Sequence, residues 1–132
     1  MPRLSIWMIR AALTWLAVGA LVGAVLLGAP KLSGGGFQWR ALHAEMLLVG
    51  WTVQLALGVA HWILPRFRAG AERGREGPGW VAFVLVNLGV LLAGAGGALA
   101  SGWSTVAGRS AEPMAAVAFA VQACPRVKPF RS

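Results

Sequence analysis

Residues 6–29 of the chain read IWMIRAALTWLAVGALVGAVLLGA and form one long, nearly uninterrupted apolar run. Its one charged residue, Arg10, lies near one end, from where a long side chain reaches an aqueous interface. A helix of roughly 20 apolar residues spans the hydrocarbon core of a bilayer. The stretch is too long for the apolar region of a signal peptide, and Pro30 follows the only small-residue cleavage point. We therefore interpret it as a transmembrane helix.

Three further apolar stretches follow, separated by turns or loops. The predicted helices cover residues 6–29, 37–64, 80–100 and 110–124, with turns at 31–36 and 101–110 and a loop at 65–79. The last helix is short, and it needs Ser110 or earlier residues, or a thin bilayer, to cross. The sequence predicts an all-α integral membrane protein: a single domain (1–132), a four-helix bundle of two hairpins. Three full spans and a partial fourth remain the alternative.

The composition supports a membrane protein. Hydrophobic residues make up 58% of the chain, charged residues 12%, and the mean hydropathy is +0.68. A soluble domain of this size would expose large apolar patches. The net charge of +8 could indicate a protein that binds nucleic acid. However, the basic residues lie between apolar runs, so we expect the partner to be a lipid bilayer, not nucleic acid.

The distribution of Lys and Arg predicts the orientation, because cytoplasmic loops are enriched in both. Nine of the 12 lie at the N-terminal end, in the loop 65–79 or after residue 125, and only Lys31, Arg40 and Arg109 lie on the opposite side. Both termini are therefore predicted to be cytoplasmic, in a bacterial inner membrane. The lone Cys124 excludes an intramolecular disulfide and is expected to be a small buried hydrophobe.

The second apolar stretch carries the most informative polar residues, because residues 43–66 read HAEMLLVGWTVQLALGVAHWILPR. At about 100° per residue, one stripe contains His43, Leu47, Gly50, Gln54, Leu57 and His61. Both histidines are thus predicted to face the same way, roughly 27 Å apart. Glu45 and Thr52 fall on the opposite face.

Polar residues within a membrane are costly and usually functional. An imidazole at the depth of His43 must donate a hydrogen bond, accept one or bind a metal. Two interpretations remain open: a hydrogen bond across helices, or ligation of haem iron. We expect His61 to be interfacial, Gln54 to bond between helices, and Glu45 to pair with a polar group near the outer surface rather than move protons.

The run 43–66 resembles helix II of subunit I of haem–copper oxidases and their cbb3-type, nitric oxide reductase and small oxidase-like relatives. In that family a histidine early in this helix, followed by Gly and aromatic residues, binds the low-spin haem. The resemblance implies a haem b with His43 as iron ligand. We also predict that Gly50, Gln54, His61 and Met114 are cofactor-binding residues.

The second axial ligand is an open question. Two histidines so far apart on one helix cannot bind one iron. Met114, at the outer end of the fourth helix, lies at a matching depth, and a second protomer or a different subunit is the other source.

Two helices carry stripes of small residues that either pack helices closely or leave room for a porphyrin. The stripes are Gly19 and Gly23 in the first helix and Gly89, Ala93 and Gly97 in the third.

The departures from the oxidase pattern limit the function. The chain has four predicted helices instead of about a dozen, and it lacks the histidines that hold copper and the high-spin haem. We therefore do not expect it to reduce oxygen or nitric oxide on its own. The leading hypothesis is a cytochrome b-like electron-transfer protein that receives electrons from a redox partner protein or quinol, as a homo-oligomer or within a larger membrane complex.

Two other function classes remain. One is a non-catalytic transmembrane subunit or assembly factor of a larger complex. The other is a small channel lined by Gln54, Asn87 and the histidines, although the scarcity of buried carboxylates argues against a proton-coupled carrier. A weak internal repeat indicates two related hairpins. Glu45 precedes Pro65-Arg66 in the second apolar stretch, and Glu112 precedes Pro125-Arg126 in the fourth, with a shorter gap.

Overall fold

The computed structural model describes residues 1–28, 36–65 and 76–127, which form four helices. The helices are α1 (Arg3–Gly28), α2 (36–63), α3 (Gly77–Ala98) and α4 (Gly102–Ala123), and a 3₁₀ turn (Cys124–Arg126) follows α4. These ranges contain no β-strand, so the all-α four-helix prediction is confirmed. Most of the glycine-rich turn, the arginines of the α2–α3 loop, and Lys128 and Arg131 lie outside the described residues.

Three of the helices are long and apolar enough to cross a membrane: Arg3–Gly28, Gln38–Ile63 and Gly77–Ala98. α4 has 22 residues, but it carries Arg109 and Glu112 and is less apolar. The predicted turn at 101–110 is wrong, because α4 already begins at Gly102. Ser and Thr residues favoured a turn, but in the helix the hydroxyls of Thr105 and Ser110 donate to carbonyls one turn earlier.

The connection between α3 and α4 is short and tightly bonded. Ser101 donates its backbone N–H to the carbonyl of Gly96 (2.8 Å), and Ala100 donates to Gly97 (3.3 Å). This pair of bonds is the Schellman pattern of a helix C-terminus, which requires a left-handed residue. Ala100 takes that conformation with φ 55°. The turn therefore brings α4 straight back along α3 as a hairpin.

Glycines set the distance between helices. A Cβ at Gly96 would lie 2.5 Å from the backbone nitrogen of Thr105, and one at Gly108 would overlap the backbone of Ala93. In the first hairpin, a Cβ at Gly50 would lie 2.7 Å from Cγ of Trp15. At these three glycines, neighbouring protein atoms occupy the space that a side chain would need, as the packing interpretation of small residues expects.

The middle of α2 is a π-helix. It covers Met46–Val53, and the Thr52 hydroxyl donates to the carbonyl of Leu47, five residues earlier (2.9 Å). A π turn advances each residue by less than 100°, so the residues beyond it rotate relative to the predicted stripe. His43 accordingly contacts α1, whereas His61 contacts Arg126 after α4. The two histidines therefore have different partners, and the prediction that they share one face stays a prediction.

Candidate functional site

His43 is fixed between α1 and α2. Its Nδ1 lies 2.8 Å from the carbonyl oxygen of Gly19. A carbonyl only accepts, so Nδ1 donates and Nε2 keeps the lone pair. The ring packs on Gly23, where a Cβ would lie 2.6 Å from Cε1. The helix pair therefore sets both the tautomer and the orientation of the imidazole.

This geometry serves both interpretations of His43. A metal-binding histidine usually donates its other ring N–H to a carbonyl or carboxylate, which fixes the ring and raises its basicity. The same bond also satisfies a histidine that binds no metal, since it replaces part of the lost hydration. The side chain is only half-buried, so part of it remains open to a group from outside the chain.

Met114 lies elsewhere. Its side chain is 58% exposed. It lines an apolar groove between α3 and α4, together with Val81, Leu85, Pro113, Val117 and Ala118. His43, in contrast, is held against α1. The structure therefore does not bring Met114 and His43 together as two ligands of one iron, and Gly50, another predicted cofactor residue, is covered by Trp15.

The end of α2 is capped by a buried arginine. The guanidinium of Arg126 donates to the carbonyls of Leu64 (2.7 Å), Pro65 (3.0 Å) and His61 (3.2 Å), and its Nη1 lies 3.3 Å from Nδ1 of His61. The last carbonyls of a helix lack intrahelical partners, and a cation there also opposes the helix dipole. Arg126 thus joins the end of α4 to the end of α2.

This cap corrects one expectation. Cys124 was predicted to be buried, but it is exposed. Arg126 turns inward from the 3₁₀ turn to reach the α2 carbonyls and leaves Cys124 on the outside. His61, predicted to lie at the membrane interface, is fully buried in the last turn of α2 beside this arginine, and its depth in a membrane stays a prediction.

A second polar cluster joins α2 and α4 through Glu45, which is only 4% exposed. Its carboxylate pairs with Arg109 at 2.8 Å, although Arg109 itself is 59% exposed. The expectation that Glu45 pairs with a polar group is confirmed. Glu112 of α4 lies beside Glu45, close enough for the two carboxyl groups to interact. Gly89 gives Glu112 room, since a Cβ there would lie 2.9 Å from its Cγ.

The sequence interpretation missed this carboxyl pair. It assumed that buried carboxylates were scarce, yet Glu45 is buried and Glu112 is half-buried beside it. The weak internal repeat, in which Glu45 and Glu112 each precede a Pro-Arg pair, was the sequence signal that could have placed both carboxyl groups at the same height in the bundle.

Two amide side chains complete the interior. Asn87 accepts from the Trp15 indole (2.9 Å) and donates to the carbonyl of Phe83 (2.7 Å), so it ties α3 to α1. Gln54 is fully buried, and its amide has no partner within residues 1–28, 36–65 and 76–127. The predicted interhelical bond of Gln54 is therefore not found there.

The described part of the chain holds no group of three or more His, Cys, Asp or Glu residues that could bind a metal ion. Comparisons with protein-family models, curated proteins and solved structures give no match.

Proposed function

We propose that the chain is a bacterial inner-membrane protein with four spans and both termini in the cytoplasm. Three helices have the length and apolar character of spans. We take α4, which returns along α3, as the fourth span. The basic residues support this orientation, since Arg3 and Arg126 lie at the same end of the bundle.

We further propose that it is a b-type haem protein that transfers electrons, in which Nε2 of His43 would bind the iron. One observation carries this proposal: the bond from Nδ1 of His43 to Gly19, which presents Nε2 as the basic nitrogen. The resemblance of residues 43–66 to helix II of the oxidase subunit supports the same histidine.

The donor set fits a haem only in part. The imidazole has the tautomer and the backbone support of an axial ligand. Met114 of the same chain is turned into the α3–α4 groove, so the other ligand would come from a second protomer or a different subunit. When bound, the haem would supply one-electron transfer between partners. Gly19 would orient the ring, and Gly23 would leave it space.

An optical spectrum of the protein purified from haem-replete membranes tests this assignment. The wild type should show a Soret band, and His43→Ala should lose it while circular dichroism remains helical. The matched control is His61→Gln, the chain's other histidine, which should keep the band. A band that persists unchanged in His43→Ala would remove His43 as the ligand.

A non-catalytic subunit or assembly factor of a larger membrane complex is the second candidate. It is favoured by the way the glycines of α1 are filled, since Gly19 meets Leu47 and Gly23 meets the His43 ring. In this case His43 only joins helices. Copurification with larger membrane subunits, with no haem on this chain, is the expected result for this second function.

A further inference from the structure

Three polar side chains inside the bundle have no hydrogen-bond partner in the described parts of the chain. They are the hydroxyl of Ser5 and the amides of Gln54 and Gln122. Ser5 and Gln54 are fully buried, and Gln122 is 6% exposed. Leaving a buried polar group unpaired costs about 1–3 kcal/mol, and native interiors pair most such groups. Three in one bundle indicate a ligand that pairs with them.

The three side chains come from α1, α2 and α4. Gly79 places Gln122 beside the start of α1, because Oε1 of Gln122 and Cδ2 of Leu4 both lie against the Cα of Gly79. Ser5 follows Leu4 directly. Ser5 and Gln122 therefore lie near the same end of the bundle, which we call the Arg3 end.

The packing of α1 on α2 places Gln54 relative to Ser5. Gly58 of α2 packs on Met8 and Ile9 of α1, and the two helices run antiparallel. Ser5 thus lies about one turn from Gly58 toward the Arg3 end, and Gln54 about one turn in the other direction. Gln54 is roughly 13 Å along α2 from its last residue, Ile63, at 1.5 Å rise per residue.

Several small residues are also buried inside the bundle. Ala12, Ala82 and Ala115 are fully buried, and Gly79 is buried as well. Two amides and a hydroxyl offer both donors and acceptors and carry no net charge. They suit a small neutral ligand that donates and accepts, and water is that ligand in protein interiors, where it makes about three hydrogen bonds.

We propose that Ser5, Gln122 and Gln54 bind ordered water inside the bundle, from the Arg3 end as far as Gln54. The hydrated region gives the chain an aqueous path to the middle of α2. It lies apart from His43, whose contacts are with α1 residues nearer Gly28, and it does not depend on haem.

Water-edited solid-state NMR of the full chain in lipid bilayers tests this proposal. The chain contains three glutamines, Gln38, Gln54 and Gln122, and one asparagine, Asn87. Labelling these two residue types with ¹⁵N gives four side-chain amide signals, each assigned through its own backbone. Polarisation is then transferred from water and its build-up is measured at each amide.

The amides of Gln54 and Gln122 should build up polarisation at a rate close to that of Gln38, near the start of α2. Asn87 is the matched control. Its amide is bonded to Trp15 and Phe83, so its build-up should be several-fold slower. Build-up at Gln54 as slow as at Asn87 overturns the proposal, including the case in which only Gln122 is fast.

Discussion

Single arginines tie the second hairpin to α2. Arg109 reaches Glu45 toward one end of the bundle, and Arg126 reaches the carbonyls of Leu64 and Pro65 at the other. The partner of Glu45 was predictable, because a carboxylate in an apolar helix needs one. The burial of Arg126 was not, because a basic residue after the last helix normally marks the cytoplasmic surface. Only the packed ends of α2 and α4 show its role.

Arg126→Gln should destabilise the protein by about 2–4 kcal/mol, since it removes a charged donor from several buried acceptors. Unfolding in mixed micelles, followed by circular dichroism, measures this loss. Arg3→Gln, which changes an exposed arginine at the same end, is the control and should have little effect. Equal stability of Arg126→Gln and wild type would show that the cap contributes nothing.

At the scale of helices, apolar runs in the sequence predict how many helices form, but they do not predict where each helix begins or where its geometry departs from an α-helix. The four helices follow from hydropathy alone. The π segment at Met46–Val53 could not be predicted, because no residue in it is specific for an i to i+5 bond. The early start of α4 was missed because glycine and hydroxyl residues favour turns locally, whereas here Gly108 is needed for close packing on Ala93.

Two adjacent glycines in α3 test this packing. A Cβ at Gly96 meets the backbone of α4, whereas one at Gly97 meets nothing within 4 Å. Gly96→Ala should therefore cost about 2–4 kcal/mol, because a backbone neighbour cannot move aside. Gly97→Ala should be neutral or stabilising by about 0.5–1 kcal/mol through helix propensity. The same unfolding assay compares the pair, and equal effects would contradict a close α3–α4 contact.

At the scale of the whole molecule, the four apolar runs of the sequence predict the helix bundle, but they predict only some of the residues that meet at the candidate site. His43 was identified from sequence, and its bond to Gly19 was one of its two expected roles. Whether His43 and Met114 bind the same iron could not be predicted from their positions along the helices, because those positions do not determine the direction in which each side chain points. The groups between helices, such as the Glu45–Glu112 pair, depend on packing that no single helix encodes.

Cys124 offers a direct test of the topology, because it is the only cysteine and is exposed. A membrane-impermeant maleimide should label it in inside-out vesicles and leave it unlabelled in right-side-out vesicles. Ser33→Cys in a Cys124→Ser background is the matched control, and it should show the reverse pattern. Labelling of Cys124 in right-side-out vesicles would place the C-terminus outside.

The proposed function requires that the imidazole of His43 binds haem iron in the membrane. A pyridine haemochrome assay, made on folded wild-type protein purified from haem-replete membranes, tests it most directly. We expect haem b in an amount stoichiometric with the protein. Helical, correctly inserted protein that yields no haemochrome would contradict the claim, and His43 would then only join α1 to α2.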